Sequence, residues 1–130
     1  MITNACSQHP ANLYVLASKL LEVGSVQDAI FWFYVAQLRF RFHLAVNPNL
    51  PPSGDPALFA SLQHGLGSVL NQAAAQNPEQ WIHLIKLARK WDHDQPNDFT
   101  SKSTFKGEHH EVVSGMDQLI EVIEMQFMSA

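Results

Sequence analysis

At 130 residues and 14.6 kDa the chain is one domain's worth of polypeptide, long enough to bury a core without staples. An apolar fraction of 46% excludes a disordered or collagen-like chain, and the single cysteine, Cys6, excludes an intramolecular disulfide framework and a cysteine-based zinc site. A net charge of −4 with a pI near 5.9 argues against non-specific association with nucleic acid or an anionic membrane.

Met1-Ile2-Thr3-Asn4-Ala5-Cys6 has neither the basic run nor the apolar core of a secretory signal. No apolar stretch approaches the ~20 residues of a bilayer span, so the expectation is a cytoplasmic protein without a membrane contact. Pro10 suits the first turn of a helix over about 10–23, in which Leu13, Leu16, Ala17, Leu20 and Leu21 recur at spacings of three and four. Gly24 follows where a C-terminal cap belongs. Ser25, with Asp28 three residues on, reads as an acidic capping box opening a second helix over 26–46, which Asn47-Pro48 ends. That helix is apolar nearly all round (Phe31, Trp32, Phe33, Tyr34, Leu38, Phe40, Phe42, Leu44), which predicts the central element of a bundle. Arg39 and Arg41 leave it about 200° apart. Each is read as pairing with a carboxylate of a neighbouring helix or snorkelling, with a partner-binding anchor as the alternative.

Asp55-Pro56 reads as an N-cap and first-turn proline for a helix over 56–76 through Leu58, Phe59, Leu62, Leu66, Val69 and Leu70, with a bend or break expected at Gly65 and Gly67. Asn77-Pro78 repeats the device for 78–91. The apolar face there is Trp81, Ile82, Leu84, Ile85, Ala88 and Trp91, with Lys86, Arg89 and Lys90 on the remaining side. Residues 92–107 show no period, and a loop of that length is functional or mobile. The last helix, 108–127, carries the stripe Val112, Met116, Leu119, Ile120, Ile123 and Phe127. The fold class predicted is therefore all-α, with residues 1–130 forming one compact bundle of about five helices and no strand.

Seven histidines raise the question of metal or acid–base chemistry. Asp92-His93-Asp94 and Glu108-His109-His110-Glu111 are the only clusters, and neither has the spacing that sets two imidazoles one turn apart. Neighbours on a helix diverge by about 100°, so His109 and His110 are read as solvated flanks of the loop. His43, His64 and His83 lie among apolar residues and read as satisfied, half-buried side chains. Cys6 near His9 lacks an orienting group and an oxyanion hole. Gly65-Leu66-Gly67-Ser68 lacks the lysine of a phosphate loop. No catalytic residue, metal ligand or cofactor site is assigned, and the expectation is a protein that is not an enzyme.

Charge is distributed unevenly. Residues 1–65 are neutral, whereas 92–130 hold Lys102 and Lys106 against eight carboxylates, a balance of −6. Those carboxylates, Asp92, Asp94, Asp98, Glu108, Glu111, Asp117, Glu121 and Glu124, are the candidate partner-binding residues. Asp117, Glu121 and Glu124 are spaced by four and three, opposite the apolar stripe. A patch of one sign steers a partner of the other, here a basic protein.

Residues 11–44 resemble a single tetratricopeptide-type hairpin. Ala17, Gly24, Ala29 and Ala36 stand at its small positions, and Leu13, Leu16, Leu20 and Phe33 at its larger ones. The repeat's helix-ending proline is missing, with Arg41 near its place, and no second copy follows. In general character a small, acidic, all-helical chain with a one-sign patch is similar to immunity proteins of bacterial toxin systems. That resemblance implies a non-enzymatic protein that neutralises a cognate toxin, a basic domain, by direct binding. The alternative is a tetratricopeptide-like adaptor or chaperone that binds a peptide or helix of a partner, and an enzyme using the acid and histidine clusters is a third reading.

Overall fold

Proline and asparagine punctuation sets the helix starts. The computed structural model describes residues 4–128, in which a 3-10 turn at Ala5–Ser7 precedes α1 (Pro10–Glu22), α2 (Val26–Val46), α3 (Asp55–Ala74), α4 (Pro78–Asp94) and α5 (Lys106–Ile123). A π turn, Glu124–Met128, follows α5, and there is no strand among the described residues. The all-α expectation holds. Asn77 caps α4 by accepting from the Gln80 N–H at 3.1 Å. Gly24, at φ +81°, supplies the left-handed residue that turns α1 into α2. Ser25 precedes α2 but its side chain makes no capping hydrogen bond, so the expected capping box does not form. His9 is the unforeseen cap of α1: its ring Nδ1 accepts from the Ala11 N–H at 3.0 Å.

α2 is central, in contact with α1, α3, α4 and α5. Its residues Phe33–Phe40 are all buried, as expected of a helix without a polar face. Each fully buried Phe or Leu contributes about 1.5–3 kcal/mol, so this run dominates the core. Ala17, Ala29 and Ala36 are wholly buried where α1 and α2 lie together. Of the bend or break expected in α3, the break does not occur: the helix runs unbroken through both glycines. Gly67 is there for proximity: a Cβ at that position would lie 3.1 Å from Phe33 Cζ. No described helix is long and apolar enough to cross a membrane.

Polar groups taken into the bundle are satisfied in chains. Tyr14 donates to Gln63 Oε1 at 2.6 Å, and Gln63 Nε2 donates to Gln37 Oε1 at 2.8 Å. Trp81 Nε1 donates to the Tyr34 hydroxyl at 3.0 Å, which donates to Asn71 Oδ1 at 2.7 Å. Burial pushes both phenols up, Tyr34 to about 12. No buried side-chain N or O among the described residues lacks a partner.

Candidate functional site

α4 does not stop at Trp91. It runs on to Asp94 and turns Asp92 into the interior, with the residue fully buried. There Arg39 Nε, itself 2% exposed, donates to Asp92 Oδ1 at 2.9 Å. The other guanidinium nitrogens donate to the carbonyls of Pro96 and Gln95 at 3.1 and 3.2 Å, and the group lies over the Trp91 ring at 4.6 Å. His109, from α5, hydrogen-bonds Asp92 Oδ2 through Nε2 at 2.7 Å. Lys102 Nζ donates to the main-chain carbonyls of Asp92 and Gln95. Burial pushes the Asp92 carboxyl up. The His109 hydrogen bond and the charges of Arg39, His109 and Lys102 outweigh it and hold the group below the ordinary range, so it stays ionised.

Asp55 is a second carboxylate joining three elements. Its Oδ2 meets His9 Nε2 at 3.0 Å and His43 Nε2 at 2.7 Å, with Asp55 31% exposed. It begins α3 as part of the helix rather than capping it, and the carboxylate is turned to the two imidazoles. These three residues bring their ligand atoms within 4.8 Å of one another, a spacing a cation could use. The hydrogen bonding argues for a latch. His9 Nδ1 accepts from the Ala11 N–H, so that ring carries its hydrogen on Nε2 and donates it to Asp55, while His43 Nδ1 faces the Asn47 amide at 3.3 Å. A cation on His9 Nε2 would move that hydrogen to Nδ1, against the Ala11 N–H.

Of residues 92–107, expected to form a functional or mobile loop, 92–94 belong to α4 and 106–107 to α5, and the remaining segment is organised by both carboxylate sites. Phe99 stands edge-on to His9 and His43, at centroid distances of 5.0 and 5.1 Å. Buried Asn97 accepts from the Phe99 and Thr100 N–H groups, and the Asp98 N–H donates to the Cys6 carbonyl at 2.8 Å.

A cleft of about 680 Å³ lies between α4 and α5. From α4 it takes His83, Lys86, Leu87 and Lys90, one face at spacings of three and four, with Arg89 and His93 beside them. α5 supplies His109, His110 and Val113, and Asp92 reaches the same space from below His109. Arg89 pairs with Asp117 and Lys90 with Asp94.

The eight sequence-derived acidic residues do not form one patch. Asp92 is removed from the surface altogether: it is buried between Arg39 and His109 and cannot steer a partner. Asp94 is paired with Lys90, and Asp117 with Arg89. Asp98 lies on the loop by Cys6. Glu108 and Glu111 stand in the first turns of α5, and Glu121 and Glu124 at its other end, about 20 Å away along an axis rising 1.5 Å per residue. The reading of His109 as a solvated flank is also corrected, since its side chain is 19% exposed and bonded to a buried carboxylate, whereas His110 is exposed. Arg39 pairs with a neighbouring helix as expected, and Arg41 is exposed, its guanidinium 5.9 Å from the Phe59 ring.

Sequence reasoning missed the Asp55 latch, whose members are 46 and 12 residues apart and follow no local pattern. Asp92 did leave a signal. Trp81, Ile85, Ala88 and Asp92 continue one stripe at spacings of four and three, so position 92 inherits the buried face of α4. No protein-family model, curated protein or solved structure matches the chain.

Proposed function

We propose that the chain is a non-enzymatic protein-binding module that neutralises a basic toxin domain by direct contact, in the manner of the immunity proteins it is similar to in character. The observation that supports this reading is the far end of α5. Val122, Met125, Phe127 and Met128 are exposed there beside Glu121 and Glu124. An apolar centre rimmed by carboxylates has the anatomy of a contact surface for a cationic partner.

The test begins with the polypeptide encoded beside this chain. Co-expression should suppress its toxicity, and the purified pair should associate faster than an unsteered ~10⁵–10⁶ M⁻¹s⁻¹ at low salt. Glu121→Lys/Met125→Asp should slow association and flatten its salt dependence while leaving the melting temperature unchanged. A partner that associates equally fast with this variant overturns the α5 surface, and the absence of any neutralised partner overturns the reading.

A second reading, the tetratricopeptide-like adaptor, is favoured by a groove of about 480 Å³ between α1 and α3, lined by Tyr14, Val15, Leu62 and Leu66 among others. A partner lost on Val15→Glu and retained on the α5 variant would select it.

A further inference from the structure

We infer that the cleft between α4 and α5 is a binding site for a phosphate monoester carried on a flat organic body. Four nitrogen groups line this one space without a protein partner among the described residues: Lys86 Nζ, the rings of His83 and His110, and Nδ1 of His109. His109 is held from behind. Asp92 receives its Nε2, and Arg39 fixes Asp92, so the ring keeps its orientation and its Nδ1 is neither bonded nor buried. The chemistry fits an anion rather than a cation. Among the described residues the set within chelating distance is His9, His43 and Asp55, not the imidazoles of the cleft. Arg89 and Lys90 already serve Asp117 and Asp94, which leaves Lys86 as the cleft's uncommitted charge.

A phosphate monoester presents oxygens to Lys86 and His110 and, as the monoanion, a P–OH that can donate to His109 Nδ1. The walls are apolar beyond these tips: Leu87, Val113, the stems of Lys86 and Lys90, and the histidine ring faces. About 680 Å³ lies within the ~300–1,000 Å³ of small-ligand sites, room for a body as large as a nucleoside. This site is separate from the α5 end proposed for protein contact and does not depend on that reading.

The experiment is calorimetric titration of the full chain with adenosine 5′-monophosphate, adenosine and inorganic phosphate in parallel. The monophosphate should bind at one site with Kd below about 1 mM, roughly tenfold or more tighter than either fragment. Lys86→Gln/His110→Gln, both exposed positions, should weaken it by about tenfold or more, while Arg41→Gln binds as wild type. Undetectable binding of the monophosphate, equal binding of either fragment, or an unchanged affinity in the double variant would each overturn the site.

Discussion

Asp55 and Asp92 do the same job under opposite conditions. Each is a single carboxylate on which three elements converge, and each receives an imidazole. At Asp55, 31% exposed, two histidines are enough, because water still solvates the charge. At Asp92, 1% exposed, a histidine is not enough. A permanently charged guanidinium supplies one oxygen's partner, and two backbone carbonyls and an indole face complete that guanidinium's own surroundings. Burial raises the cost of an ion by several kcal/mol, so the interior site recruits five groups where the rim recruits two. The deeper site is the brittle one.

That contrast can be broken most severely at Asp92→Ala. The variant strands a buried guanidinium and should cost about 3–5 kcal/mol, read as a lowered urea midpoint. Replacing both partners, Arg39→Met with Asp92→Leu, should recover most of that loss; if it does not, the backbone carbonyl contacts of Arg39 matter more than its ion pair. A middle-sized effect is expected from His109→Ala, which leaves Asp92 Oδ2 short of a donor and should cost about 1–2 kcal/mol. His110→Ala, one residue on and exposed, should stay within about 0.5 kcal/mol, so the pair of melting curves separates a structural imidazole from a solvated one. The smallest effect belongs to Asp55→Asn, about 1 kcal/mol at neutral pH, because solvent screens the site. Hydrogen bonds from His9 and His43 hold the Asp55 carboxyl below its ordinary 3.8. Its contribution is therefore complete above the ordinary carboxylate range and lost as pH falls through the depressed folded value. The gap between wild type and Asp55→Asn should close on acidification. A gap that widens instead would mean that the histidines, not the carboxylate, carry the latch.

The helices were legible because Pro10, Pro56 and Pro78 mark starts, and an all-round apolar α2 can only be a centre. The sites were less so. Arg39 announced that some carboxylate must come inward, yet the polar letters Asp92-His93-Asp94 read as the beginning of a loop. The buried stripe of α4 runs on to position 92, and what the local letters do not show is the partner that admits a carboxylate there, Arg39, 53 residues away. Asp55 misled for the converse reason. A capping residue before proline is a local rule, and two imidazoles, one from the cap of α1 and one from α2, outcompeted it. Helices follow from near neighbours in sequence, and these two sites from distant ones.

The sequence distance between Arg39 and Asp92 has a consequence during synthesis. Chains grow N-terminus first at ~5–20 residues per second, so α2 is complete about 2–9 s before its counter-ion has been made. In that interval α1 and α3 can cover part of α2, but Phe42 and the Arg39 guanidinium have neither α4 nor α5 against them. The nascent hairpin is an aggregation-prone species by construction. A slow stretch of translation before residue 92 would lengthen that exposure, and the yield of folded protein should fall with it.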